Sequence, residues 1–155
     1  MDIKDSVLIV DDSAQNLQVL VEILKNDYTV SAVKSGKKAL EVIQKGLTPT
    51  LILLDIKMPE MDGFEVAQIL KSDLSYKDIP IIFNTSSNDL QSIKKGFELG
   101  AADYITKPFN PPELLARVNT HIELFKNRKK LQDRLDENAT LLEQYKKIVD
   151  ESDIV

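Results

Sequence analysis

Short apolar runs alternate with amphipathic stretches up to about residue 120, and this alternation restricts the fold more than any other feature of the chain. Ser6–Val10 is a brief apolar run, the pattern of a strand buried on both faces. Ala14–Lys25 follows, with Leu17, Leu20, Val21 and Leu24 on one helical stripe. Tyr28–Val33 reads as a second strand. Lys37–Gln44 reads as a helix with Ala39, Leu40 and Ile43 inward, preceded by Gly36 and ended by Gly46. Leu51–Leu54 and Gly63–Leu70 form the third pair. Ile79–Phe83 is the fourth strand, entered through Pro80 near its first position, and Asp89–Leu99 is the helix after it, closed by Gly100. Asp103–Ile105 is a short fifth strand, and Pro111-Pro112 opens a fifth helix, where proline suits the first turn. Five strands alternating with five helices predict an α/β fold: a five-stranded, doubly wound parallel sheet with helices on both faces.

In such folds ligands bind beyond the carboxyl ends of the strands, at the point where the strand order reverses. The residues at those ends are polar in a particular way. Asp11-Asp12 follow the first strand, Asp55 the third, Thr85 the fourth, and Lys107-Pro108 the fifth. Any one of these is explained as a helix cap. Three carboxylates on one rim are not, because their mutual repulsion calls for a cation. Hard oxygen ligands at this charge suit Mg²⁺, which takes one or two protein carboxylates, several waters and substrate phosphate. A carboxylate is also a nucleophile that forms an aspartyl phosphate, and an ammonium and a hydroxyl beside it match phosphoryl oxygens.

Composition narrows the alternatives. The chain has no cysteine, which removes thiolate sites and disulfides, and a single histidine, His121, which argues against a histidine-based metal centre or a Ser/His/Asp triad. The longest strictly apolar runs, Val7–Val10 and Leu51–Leu54, are too short to span a bilayer, so no membrane insertion is expected. The charged start, Met1–Asp5, shows no secretory h-region, and the expected location is the cytoplasm. A net charge of −5 argues against a direct nucleic-acid surface.

Four segments carry a resemblance. Val10-Asp11-Asp12-Ser13, the stretch Leu54-Asp55-Ile56-Lys57-Met58-Pro59-Glu60-Met61-Asp62-Gly63, Pro80–Ser86, and Lys107-Pro108-Phe109 resemble, in order and spacing, the receiver domain of two-component response regulators. The resemblance covers roughly residues 5 to 120 and implies a flavodoxin-like receiver. It implies that Asp55 accepts a phosphoryl group from a sensor histidine kinase or phosphotransfer protein. Asp12, Asp55 and the backbone carbonyl of Lys57 would hold Mg²⁺, with Asp11 acting through water. Thr85 and Lys107 would meet the phosphoryl group, and Tyr104 stands in the place of the family's switch aromatic. The Lys107–Pro108 peptide is expected to be cis, and Lys57 and Ser87 stand where side chains tune the lifetime of the phosphoryl group. Asn84 and Ser86 depart from the pattern: an apolar residue often precedes the threonine, and a small alanine or glycine often follows it. Two other readings stand beside this one. A phosphohydrolase using an aspartyl phosphate would want an acidic residue two after the nucleophile, where this chain has Lys57. A pseudo-receiver that binds partners without phosphorylation would not need the full set of Asp11, Asp12, Asp55, Thr85 and Lys107. The receiver itself is a signalling switch rather than an enzyme.

Residues 121–155 form a second regime, a helical tail after a receiver of residues 1–120. The tail holds seven Lys and Arg and eight Asp and Glu, with no glycine or proline, so the fifth helix is free to continue. From about Pro111 to about Asp150 it would be roughly 60 Å long. Arg128, Leu135, Leu142 and Val149 at a, and Leu131, Asn138 and Tyr145 at d, make about three heptads. This seam predicts a homodimeric coiled coil, and a tail that folds back or frays is the plainer alternative. Lys126, Arg128, Lys129 and Lys130 read as a solvated helix face, and His121 as a packing or solvent-facing residue. The stretch from Leu142 to Val155 resembles the helix that leads into PAS-type sensor domains, which implies a longer parent such as a hybrid kinase or a diguanylate cyclase.

Overall fold

A computed structural model describes residues 3–86 and 89–151. Five parallel strands, β1 (Ser6–Val10), β2 (Thr29–Val33), β3 (Leu51–Asp55), β4 (Ile81–Thr85) and β5 (Asp103–Thr106), form one sheet in the order β2-β1-β3-β4-β5. Strand order reverses between β1 and β3, so the ends of those two strands flank the switch point.

Pleat parity assigns the two faces. Leu8, Val10, Ile52, Leu54, Ile81 and Phe83 point to one side. There they pack on α2 (Gly36–Gln44) through Ala39 and Ile43, and on α3 (Gly63–Lys71) through Phe64, Val66, Ala67 and Leu70. Val7, Ile9, Leu51, Leu53, Ile82 and Ile105 point to the other side. They meet Leu17, Leu20 and Leu24 of α1 (Ala14–Leu24) and Leu114, Val118 and Ile122 of α5 (Pro111–Glu151). The helix α4 (Leu90–Glu98) is different: Gly96 is its one buried residue, set against the Phe83 ring.

Local chemistry fixes where these helices begin. Ser13, Ser35, Asp62 and Asp89 each cap a helix by accepting backbone N–H groups of the first turn, and Asn110 accepts from Glu113 N–H at the start of α5. Several strand ends differ from expectation. β4 begins at Ile81 rather than Ile79, because Pro80 has no N–H to give the ladder, although its carbonyl accepts from Ile52. β3, β4 and β5 each run on into the polar residue that ends them, Asp55, Thr85 and Thr106.

The chain divides into two compact units, Met1–Ile122 and Glu123–Val155. Within the second unit, the described residues are helical to Glu151. Leu131, Leu135, Leu142 and Tyr145 are each more than half exposed, as are Leu141 and Ile148 off the seam. Asn138 is exposed and Val149 partly covered.

Candidate functional site

The first part of the site is an acidic cluster across the switch point. Asp11 directly follows β1 and is fully buried, Asp12 beside it is exposed, and Asp55 ends β3 at 4% exposure. One carboxylate oxygen from each lies within 4.8 Å of the other two. Two buried like charges this close would repel strongly, and the protein offsets the repulsion in two ways. Lys107, just after β5, places Nζ 3.1 Å from Asp55 Oδ1 and 3.5 Å from Asp11 Oδ2. Asp11 Oδ1 accepts the Ser13 N–H at 2.9 Å, and the Asn16 amide reaches the same carboxylate at 3.3 and 3.5 Å.

The offset is incomplete. Burial first, and then the Asp11 charge, push the Asp55 carboxyl up to about 6 against the pull of Lys107, with Asp12 adding a smaller push. Three carboxylates facing one ammonium leave two negative charges over. An all-oxygen donor set with that residual charge fits a divalent cation such as Mg²⁺.

The second part is the wall beyond the carboxylates. A cleft of ≈ 180 Å³ is bounded by Asp12, Asp55, Lys57, Asn84, Thr85, Asp89 and Lys107 among others. Thr85 is buried at the end of β4, Lys57 is exposed on the loop after β3, and Ser86 follows Thr85. Ser87 lies outside the described residues. The Lys107–Pro108 peptide is cis. The loop carrying Lys57 is held by Gly63, whose N–H donates to the Ile56 carbonyl at 2.8 Å. A Cβ on Gly63 would collide with the Asp55 carbonyl oxygen, so the start of α3 touches the backbone of the acidic strand end directly.

Tyr104 on β5 lies outside the cleft, half-buried. Its ring meets Phe97 of α4 edge to face at 5.9 Å, and the Arg117 guanidinium lies 6.0 Å from its centroid. Arg117 also bonds both oxygens of Asp103 at 2.7 and 2.8 Å, and His121 Nε2 lies 3.0 Å from Asp103 Oδ2. Burial works to raise the Asp103 carboxyl, but Arg117, the Tyr104 N–H and His121 together hold it below the ordinary carboxylate value. Sequence reasoning did not find Asn16 or the Asp103–Arg117–His121 cluster. Asn16 is signalled by its place in the first turn after the Asp11-Asp12 pair, whereas the cluster joins residues 14 and 18 positions apart and has no local pattern.

Comparison with known proteins agrees with this geometry. Residues 7–119 match the response regulator receiver domain. The chain is 42% identical over 118 residues to a probable cyclic di-GMP phosphodiesterase of Vibrio cholerae serotype O1, covering 76% of this chain and 26% of that protein. It is 35% identical over 120 residues to the DNA-binding response regulator MtrA of Mycolicibacterium paratuberculosis, covering 77% and 52%. The chain thus spans between about a quarter and about half of the length of these relatives. Among solved structures, a putative response regulator from Chloroflexus aurantiacus superposes with a TM-score of 0.74 at 34% identity, covering 77% of this chain and 98% of that one. With both strand order and rim chemistry in agreement, the chain belongs to the response regulator receiver domain family.

Proposed function

We propose that Asp55 is the phosphoacceptor of this receiver, and that the observation carrying the assignment is the Lys107 ammonium seated between Asp55 and Asp11 at the acidic cluster. A histidine kinase or phosphotransfer protein is the donor. The phosphorus–nitrogen bond of its phosphohistidine breaks as a bond forms between phosphorus and a carboxylate oxygen of Asp55. Asp12, Asp55 and the Lys57 carbonyl would hold Mg²⁺, with Asp11 acting through water, and the cation would supply charge neutralisation at the phosphoryl oxygens. Lys107 turns from Asp55 to a phosphoryl oxygen, Thr85 donates to another, and Tyr104 follows Thr85 inward. Lys57, which borders the cleft, and Ser87 set how long the phosphoryl group survives. The receiver is a switch whose chemistry is limited to gaining and losing that group.

The second unit carries the signal as a parallel homodimeric coiled coil. Leu131, Leu135, Leu142, Tyr145 and Val149 form the seam and Asn138 fixes its register. The support is a helix that is polar on most sides and leaves Leu131, Leu135, Leu142 and Tyr145 exposed, which is marginal without a partner. Among the described residues no helix is long and apolar enough to cross a membrane. A cytoplasmic module of a longer signalling protein is the reading that suits both features, and a PAS-type domain is one candidate for what the helix leads into.

The test is light-scattering mass of wild type and Asp55→Asn, each with and without Mg²⁺ and beryllofluoride, which mimics the aspartyl phosphoryl group. A response in mass or in the Tyr104 environment that Asp55→Asn loses supports the switch. A monomer under every condition removes the coil, and an equal response in Asp55→Asn removes Asp55 as the acceptor.

A further inference from the structure

Asn84 occupies a position in β4 that burial alone would give to an apolar side chain. It is fully buried, and among the described residues its Oδ1 and Nδ2 are the buried side-chain atoms left without a hydrogen-bond partner. A buried amide without partners is costly, and asparagine is depleted in strands. Leucine has the same branching and would carry neither cost. Packing therefore does not account for an amide here.

Pleat parity shows what the amide accompanies. Leu53, Ile82 and Ile105 lie in the core on the side of α1 and α5. Two residues further on come Asp55 in β3, Asn84 in β4 and, just past the end of β5, Lys107. Asp55 and Asn84 are register partners, one strand spacing of about 4.8 Å apart. The row across the sheet end thus reads Asp55, Asn84, Ile105, with Lys107 two residues beyond it and its ammonium reaching back to Asp55. Asp55, Asn84 and Lys107 border one cleft.

We propose that Asn84 is a positioning residue for phosphoryl loss: its side-chain N–H supports the Asp55 carboxyl group when Lys107 has turned away to the phosphoryl oxygens. The proposal rests on the reading of Asp55 as phosphoacceptor. In the resting chain Lys107 satisfies Asp55 at 3.1 Å. Once the ammonium moves to the phosphoryl group, Asn84 is the neutral donor that remains one strand away. During hydrolysis a water oxygen bonds to phosphorus and a water proton passes to solvent. The bond from phosphorus to the Asp55 oxygen breaks, and its electron pair stays on Asp55 as a carboxylate. Negative charge therefore grows on the Asp55 oxygens as the reaction proceeds. A donor carried on the adjoining strand, at the register position facing Asp55, stabilises that charge at little reorganisation cost, whereas two methyl groups do not.

The experiment charges the full chain with labelled acetyl phosphate and Mg²⁺, removes the donor, and follows loss of the label from wild type, Asn84→Leu, Asn84→Val and Asn84→Ser. The apolar variants are expected to hold the label about tenfold longer, the factor that one hydrogen bond to a charged oxygen provides. Asn84→Ser, which keeps a donor, is expected to recover much of the wild-type rate. Urea midpoints of the same proteins report the structural effect separately. Asn84→Leu and Asn84→Val have different shapes, so a folding failure in one leaves the other to decide. Half-lives within twofold of wild type overturn the proposal whatever the midpoints do, as do shorter half-lives in the apolar variants. A wild type that takes no label, or an Asp55→Asn that takes as much, overturns the phosphoacceptor reading itself and is distinguishable from both.

Discussion

Asp55→Asn is expected to make the protein more stable at neutral pH when divalent cations are absent. Asp55 is 4% exposed, and its carboxyl is raised from its ordinary 3.8 to about 6, by burial first and by Asp11 next. Between those two pH values the folded chain binds a proton that the unfolded chain releases. Stability therefore falls as pH climbs through that window and stays reduced above it. At about 1.4 kcal/mol per pH unit, the full cost at pH 7.5 is about 3 kcal/mol. Asparagine has the shape of the protonated acid and escapes this cost. The pull of the 3.1 Å ion pair with Lys107 is already contained in that value, and Lys107 keeps Asp11 as its partner in the variant, so the expected gain is about 3 kcal/mol. The assay is urea unfolding of both proteins in a chelator at pH 7.5 and at pH 4. The variant's advantage should be large at pH 7.5 and nearly vanish at pH 4, where wild-type Asp55 is itself protonated. Adding Mg²⁺ should narrow the gap, since a cation that favours the wild-type carboxylate stabilises wild type more. A variant no more stable than wild type at pH 7.5 without cations would refute the reasoning, and so would an advantage of equal size at both pH values.

Other outcomes follow from the same structure. Gly63→Ala drives a methyl group into the Asp55 carbonyl and should cost about 2 kcal/mol or more in thermal unfolding, with weaker beryllofluoride binding because the backbone of the proposed acceptor shifts. Arg117→Ala removes a charged partner from Asp103, whose carboxyl is held low in the folded chain. The stability lost, about 1 kcal/mol, should be visible at neutral pH and disappear as pH falls through the carboxylate range, which a pH series of urea midpoints checks. Leu135→Lys with Leu142→Lys should give monomers by light scattering, and an unchanged mass would remove the proposed seam.

Much of this architecture is legible in the sequence because buried parallel strands must be short apolar runs and their helices must carry one apolar stripe. The strand ends are less legible, and the reason is the site. Asp55 and Thr85 look like loop residues by composition, yet each still belongs to its ladder, since a functional side chain held by a strand is held more firmly than one on a loop. Pro80 misleads in the opposite direction: the apolar run Ile79–Phe83 continues through a residue that has no N–H to pair. The acidic rim can be read from strand-end positions alone, because topology gathers those ends on one edge. The ties that align it are not readable in this way. Asn16 bonding Asp11, or Arg117 and His121 converging on Asp103, depend on how α1 and α5 lie against the sheet, and no spacing in the chain announces them.

The way α4 is seated bears on how the domain deforms. Five residues of α3 are buried, against Gly96 alone in α4. Each covered apolar side chain acts as a restoring force, about 25 cal/mol for every square ångström that displacement would expose. The domain is thus mechanically uneven, stiff around the backbone of Asp55 and compliant along α4. The N-terminal end of α4 nevertheless borders the cleft through its cap Asp89 and through Ser92, so a force arising there acts on the element with the weakest spring. A methyl group at Gly96, only 3.0 Å from the Phe83 ring, would alter that spring without touching the chemistry.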